Sequence, residues 1–199
     1  LDDMATTGAD AGWTVLADIT TATSPMRVGV GFANGGTGRD LRVDGAPARG
    51  FEKISMALPQ LWLTPAMDRL FTDSAGGRRR FIDRFAQTLA PGLSTQLNKY
   101  ERAMRERNKL LQAPGTQLSG NGWLDGLEDN MASLGTAIAA ARLAALDALA
   151  EGLAAIPETV FPRAEVALEG TLEAVLRAHP AIEVEDGWRA RLLAERARD

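Results

Sequence analysis

The segments LSTQLNKYERAMRERNKLL at residues 93–111 and WLDGLEDNMASLGTAIAAARLAALDALAEGLAAI at residues 123–156 decide the fold. Each repeats apolar residues at the three- and four-residue spacing of an amphipathic helix. In the second segment this series is Leu124, Leu127, Met131, Leu134, Ile138, Ala141, Ala145 and Leu149. The connecting stretch is polar and rich in glycine, and its Ala113-Pro114-Gly115 sequence cannot continue a helix. Two long helices joined by a short loop predict an antiparallel αα-hairpin.

The N-terminal part of the chain predicts strands. Apolar residues alternate over Trp13–Thr20 and Met26–Ala33, and Arg39–Asp44 follows as a third strand. Asn34-Gly35-Gly36 and Asp44-Gly45 have the residue types that hairpin turns require. These features predict a small antiparallel β meander.

The whole chain is therefore expected to have an α+β fold. The apolar run Leu61-Trp62-Leu63 predicts a buried strand, which Thr64-Pro65 ends. We expect a β-rich part over residues 1–64, a helical lobe with the αα-hairpin over residues 65–160, and a returning strand and helices over residues 161–199. The other predicted elements are helices over Phe51–Leu58, Arg78–Leu89, Gly170–Ala178 and Trp188–Arg198, and the returning strand over Phe161–Leu168.

Composition excludes several kinds of site. The chain has no cysteine, so it can form neither a disulfide nor a thiolate metal site, and His179 is its one histidine. No Ser/His/Asp or Cys/His set is present, and we expect no catalytic, cofactor-binding or metal-binding residue in this chain. No run of 18 apolar residues occurs, so we expect no membrane span, and the absence of cysteine suits the cytoplasmic location that we expect.

Positive charge is concentrated in one segment of an acidic chain. The net charge is −4, yet residues 78–109 carry nine basic and three acidic side chains. Two groups in this segment are candidates for contact with DNA phosphates. They are Arg78, Arg79 and Arg80 at the start of one helix, and Lys99, Arg102, Arg105 and Lys109 on one face of the next. The alternative interpretation is an ordinary solvated surface, since Glu101 and Glu106 lie among the basic residues.

Arg107 differs from the other cations because helical periodicity places it within the apolar arc. An unpaired buried guanidinium would be costly. We therefore predict that Arg107 is structural and binds a carboxylate or backbone carbonyl groups.

The glycine-rich stretch GFANGGTG at residues 31–38 is not a phosphate-binding loop. Such a loop needs a Gly-Lys-Ser/Thr sequence, in which the lysine reaches the β- and γ-phosphates. Here Thr37 follows Gly36, and no lysine occurs before Lys53. The stretch also joins two strands instead of opening a helix, so it predicts a hairpin turn.

Several short motifs together resemble the RecF family of bacterial DNA-repair proteins. They are Val43-Asp44-Gly45, Leu61-Trp62-Leu63-Thr64-Pro65, Leu70-Phe71, Arg78-Arg79-Arg80-Phe81-Ile82-Asp83-Arg84, Tyr100, Arg102 and Arg107-Asn108-Lys109-Leu110-Leu111. Residues 40–111 carry the resemblance well, and the remainder follows loosely in order and spacing. The alanine-rich composition is similar to that of alphaproteobacterial members. Ala66-Met67 departs from the family, since many members have an acidic residue directly after the Ser/Thr-Pro.

The resemblance implies part of an ABC-type ATPase head related to those of SMC and Rad50. Members of the family bind ATP and magnesium, form ATP-dependent homodimers, and bind gapped, single-stranded and double-stranded DNA. They act with RecO and RecR to load RecA in recombinational repair and replication, including the SOS response. The chain has no match to the family's phosphate loop, signature or Walker B motif, so we expect an internal fragment without ATPase activity. A helical protein-interaction module without a DNA role is the alternative.

Overall fold

The computed structural model divides the chain into two compact units, residues 1–60 and residues 61–199. The residues that it describes are 12–21, 24–33, 38–62, 64–72, 74–115, 120–157, 160 and 162–197, without the side chains of Glu52 and Ala66. The first unit is a sheet with one short helix, and the second is helical. This arrangement confirms the α+β fold class.

The first unit contains four strands that pair in chain order. They are β1 (Trp13–Thr20), β2 (Pro25–Phe32), β3 (Arg39–Val43) and β4 (Ala46–Pro47), followed by helix α1 (Glu52–Ala57). Every neighbouring pair is antiparallel, which confirms the predicted meander. The predicted turn at Asn34-Gly35-Gly36 lies outside the described residues, between the paired residues Phe32 and Arg39.

One face of this sheet forms the core of the first unit. Because side chains alternate along a strand, the cross-strand neighbours Val28 and Val43 point to the same side as Met26 and Leu41. All four are buried, and Ile54 of α1 packs against them. The opposite face is polar and includes an ion pair between Asp18 and Arg27.

The Asp44-Gly45 turn is held by a side chain. Asp44 has a φ of 52° and Gly45 a φ of 80°, the left-handed conformation that Asp, Asn and Gly tolerate best. The backbone N–H of Arg27 donates to Asp44 Oδ1 at 2.9 Å, and Lys53 Nζ lies 3.4 Å from Oδ2. The Arg27 N–H, aided by Lys53, holds the pKa of Asp44 below its ordinary value.

The second unit is built around one long helix. After a 3₁₀ turn (Pro65–Met67) come α2 (Ala75–Leu89), α3 (Leu93–Leu111), α4 (Gly122–Ala154), α5 (Thr171–Leu176) and α6 (Ala181–Glu195). Helices α3 and α4 run antiparallel, since Leu93 packs near Ile138 while Ala103 packs near Leu127. The αα-hairpin is therefore confirmed.

Three predicted elements differ from the structure. Leu61 and Trp62 form no strand and are exposed, and Leu63 lies outside the described residues. Residues 162–168 of the predicted returning strand have no regular structure, and Phe161 lies outside the described part. A strand needs a partner, and the described residues of the second unit contain none. The predicted helix at Trp188 begins earlier, at Ala181, directly after Pro180.

Helix α4 is long and apolar enough to cross a membrane by length and composition. Its contacts favour a soluble core helix instead. Leu124, Met131 and Ile138 are buried within the helical unit, and Glu128 and Arg142 form ion pairs with other helices. Charged groups are costly in a lipid environment, and here they serve to join helices.

We predict that the Asp44 carboxyl titrates below its ordinary pKa of 3.8, because the bound Arg27 N–H favours the ionised form. Its contribution to stability is complete above 3.8 and is lost as the pH falls through the lower pKa of the folded state. The measurement is the NMR shift of the Arg27 amide proton as a function of pH. Asp44→Asn keeps the turn and should abolish this titration, whereas Asp40→Asn should leave it intact. A midpoint at or above 3.8 would contradict the assignment.

Candidate nucleic-acid interface

Helix α3 presents its basic residues on the side opposite its buried face. Leu93, Ala103 and Arg107 are the buried residues of α3, and they face α4 and its neighbours. The four predicted stripe residues are all exposed: Lys99, Arg102, Arg105 and Lys109. The packing that fixes the helix therefore leaves the basic stripe accessible.

Carboxylates on the same helix neutralise part of this stripe. Arg102 Nε lies 2.9 Å from Glu106 Oε1, and Arg105 Nη1 lies 3.5 Å from Glu101 Oε2. The hydrogen bond that Arg102 donates to Glu106 raises the pKa of Arg102. Such exposed pairs contribute little to stability, so a polyanion could displace them. Within the described part of the chain, Lys99 and Lys109 form no ion pair, a distinction that the charge count alone did not reveal.

The arginine run lies near the beginning of α2 and is also exposed. Ser74 caps this helix weakly, because its Oγ accepts from the Gly77 N–H at 3.4 Å. Arg78, Arg79 and Arg80 follow immediately. Burial raises the pKa of Tyr100 on α3, and the positive charges of Arg142, Arg79 and Arg107 partly offset this rise. Arg79 is therefore within electrostatic range of the middle of α3.

A buried ionic cluster joins α3, α4 and α6. Arg107 Nε donates to Glu128 Oε1 at 2.9 Å, and Arg107 Nη2 donates to the Leu192 carbonyl at 2.9 Å. Arg196 Nε donates to the same Glu128 oxygen at 2.9 Å, and its Nη2 reaches Asp125 at 2.6 Å. Arg107 is 3% exposed and Glu128 2%. The prediction that Arg107 is structural, with carboxylate and carbonyl partners, is confirmed.

A second cluster joins α2, α4 and α5. Arg142 donates to both oxygens of Asp83, at 2.6 and 3.1 Å, and to Glu173 Oε1 at 3.0 Å. Burial alone would lower the pKa of Arg142, but its hydrogen bonds and charge interactions with Asp83 and Glu173 raise it. Sequence reasoning missed Arg142 and Glu128. The available signal was that each is a charged residue four positions after an apolar seam residue, Ile138 and Leu124 respectively.

The described residues contain no candidate metal site. Among the residues that it describes, no group of three or more Asp, Glu or His side chains could hold a metal ion. The exposed cations of α2 and α3 are the candidate binding residues of the described helical unit.

Two solved structures share this fold. The chain superposes on the recombination mediator protein RecF of the RecFOR pathway, in a structure described as RecF-ATPrS, with a TM-score of 0.71 and 14% identity over 95% of this chain and 51% of that one. A second structure, RecF-ATP, gives a TM-score of 0.66 at 15% identity over 93% of this chain and 50% of the other. At this level of identity the likeness shows the fold alone.

Sequence comparison finds relatives at higher identity. The DNA replication and repair protein RecF of Mesorhizobium japonicum is 40% identical over 99% of this chain and 52% of its own length. RecF of Agrobacterium fabrum is 38% identical over 100% of this chain and 53% of its own length. No model of a known protein family matches the sequence. The chain is thus homologous over its whole length to part of RecF, which confirms the resemblance, and it spans about half the length of the curated relatives it matches.

We predict an order of stability among three variants of the helical unit. Glu128→Ala leaves two buried guanidinium groups without their shared carboxylate and should cost about 3–5 kcal/mol. Arg107→Ala leaves Glu128 paired with Arg196 and should cost about 1–3 kcal/mol. The control Arg191→Ala removes an exposed pair with Glu195 and should cost less than about 1 kcal/mol. Urea unfolding followed by helical circular dichroism measures the order, and equal stability of Glu128→Ala and the control would contradict it.

Proposed function

We propose that this chain is part of a RecF-type protein of recombinational gap repair, and that its helical unit contacts DNA through the exposed cations of α2 and α3. The homology to RecF over the whole chain supports the parent function. The exposure of all seven candidate cations supports the contact: Arg78, Arg79, Arg80, Lys99, Arg102, Arg105 and Lys109.

The proposal assigns nucleotide chemistry to other parts of the whole protein. The sequence of this chain has no Gly-Lys-Ser/Thr loop, so ATP and magnesium would bind elsewhere in a RecF-type protein. We propose that residues 1–64 form part of its ATPase lobe, that residues 65–160 form its helical lobe, and that residues 161–199 lead back towards the ATPase lobe. ATP-dependent homodimerisation, action with RecO, RecR and RecA, and a cytoplasmic location belong to the same proposal.

The observation that carries the DNA contact is a basic surface on a fixed support. The face of α3 opposite the stripe is tied to α4 and α6 through Arg107 and Glu128, so the stripe residues keep a defined spacing. Lys and Arg at helical spacing can follow a phosphate backbone without reading base sequence. Binding should therefore be independent of sequence, weak, and steeply dependent on salt, because each neutralised phosphate releases counterions.

A protein-binding role for the helical unit is the second candidate. Two observations favour it: Glu101 and Glu106 pair with half of the α3 stripe, and Trp123 at the start of α4 is 67% exposed. Exposed tryptophan is typical of protein interfaces. Salt dependence separates the candidates, since an interface centred on Trp123 would depend less on salt than contacts with phosphates.

We predict that replacing Lys99, Arg102, Arg105 and Lys109 together with glutamine weakens DNA binding and makes it less dependent on salt. Glutamine preserves helix propensity while removing charge. Each lost phosphate contact should lower the slope of log K against log salt by about 0.9 for duplex DNA. The converse variant, Glu101→Gln with Glu106→Gln, frees Arg102 and Arg105 and should strengthen binding. The measurement is a titration with labelled DNA at several low salt concentrations.

The matched control replaces four exposed basic residues elsewhere with glutamine: Arg42, Arg163, Arg177 and Arg191. Arg196 is unsuitable as a control because it is buried in the Glu128 cluster. The control changes net charge equally, so it measures the effect of charge alone. Equal losses in the stripe variant and the control would show that α3 is not a specific path for DNA. Such a result would favour the protein-binding role.

A further inference from the structure

We propose that Asp83 is a positioning residue, which holds the start of α2 through Arg142 so that Arg78, Arg79 and Arg80 are presented to DNA. This inference rests on the proposed DNA contact and adds a residue that is itself acidic and would not touch DNA.

The first turns of α2 have little helical stability of their own. Gly76 and Gly77 are poor helix formers, and no acidic residue lies in the first turn. The cap from Ser74 is long, at 3.4 Å. Three consecutive arginines close to the positive end of the helix dipole add repulsion. A helix that begins in this way needs a tertiary contact close to its N-terminus.

Asp83 makes a buried ionic contact just after the arginine run. It lies one turn after Arg79 and Arg80, and both of its carboxylate oxygens accept from Arg142, at 2.6 and 3.1 Å. The side chain of Asp83 is 14% exposed and that of Arg142 is 17% exposed, so solvent screens the pair weakly. The bidentate geometry restricts rotation of α2 about its axis as well as its separation from α4. The buried residues of α2, Ile82 and Ala86, flank this contact and supply no comparable directional restraint.

Glu173 fixes the other side of Arg142. Its Oε1 accepts from Arg142 Nη1 at 3.0 Å, and its side chain is 8% exposed. Gly170 leaves room for this carboxylate, because a Cβ at Gly170 would collide with it. Arg142 is thus held from α5 while it holds α2, so the guanidinium has a defined position to which Asp83 can bind.

The charge of Asp83 makes the inference sharply testable. If Asp83 acted only through its negative charge, Asp83→Asn would raise the net charge by one and strengthen the binding of a polyanion. If Asp83 acts by positioning α2, the same change would weaken binding because the arginines would lose their fixed geometry. The two explanations therefore predict changes of opposite sign.

The experiment compares Asp83→Asn with Asp147→Asn in the 199-residue chain. Asp147 also lies in the helical unit and pairs with an arginine, Arg177, but that pair is exposed. The two variants carry the same net charge. DNA affinity is measured over a salt series, and amide hydrogen exchange is measured for residues 75–82. We expect Asp83→Asn to lose severalfold in affinity, with a shallower salt slope, and to exchange faster over residues 75–82. Asp147→Asn should bind as well as the parent chain or better, with unchanged exchange there.

The readouts distinguish positioning from simple unfolding. Partial unfolding lowers the apparent affinity without changing the salt slope, whereas lost phosphate contacts reduce the slope. If Asp83→Asn loses its helical circular dichroism, Asp83→Glu is used instead, because it keeps the charge and moves it by one methylene. Its DNA affinity and its exchange over residues 75–82 should lie between those of the parent chain and those expected for Asp83→Asn. Unchanged exchange over residues 75–82 in a folded variant would overturn the inference. Faster exchange with affinity equal to that of Asp147→Asn would also overturn it. Absence of salt-dependent binding by the parent chain would refute the proposed function instead, and exchange would still decide whether Asp83 positions α2.

Discussion

The packing of the helical unit depends on the pairing of the buried Glu128 carboxylate with cationic side chains. Burying an isolated carboxylate costs several kcal/mol, so Glu128 can occupy the interior only with cationic partners. Arg107 from α3 and Arg196 from the end of α6 supply them. Arg107 also binds the Leu192 carbonyl of α6, which brings the three helices to one point. The cluster thereby specifies how α3 and α6 pack on α4.

Helix α4 serves as the common support for two such clusters. At one end of α4, Glu128 binds partners from α3 and α6. Farther along α4, Arg142 binds carboxylates of α2 and α5. Apolar packing among Ala86, Leu93 and Ile138 also joins α2, α3 and α4. The directional hydrogen bonds of the ion pairs add geometric restraint to this apolar packing. The exposed cations of α2 and α3 are therefore carried by helices whose register is fixed from within.

Local sequence patterns predicted the helices and strands. Contacts between residues far apart in the sequence determined the features that those patterns could not predict. Alternation and helical periodicity found the meander and the αα-hairpin, because both depend on neighbouring residues. Periodicity also showed that Arg107 must be paired, but its partners are 21 and 85 residues away and could not be read from spacing. The run Leu61-Trp62-Leu63 has the composition of a buried strand, yet strand formation requires a partner strand, which local sequence does not reveal. The pairing of Arg102 with Glu106 was available from their four-residue spacing.

The central claim is that Glu128 makes α3, α4 and α6 one cooperative structure. Native-state amide hydrogen exchange in the parent chain and in Glu128→Gln tests it most directly, because exchange reports the opening free energy of each helix separately. The account predicts that the slowest amides of the three helices share one opening free energy and lose protection by the same amount in Glu128→Gln. Loss of protection confined to α6, with α3 and α4 unchanged, would contradict it.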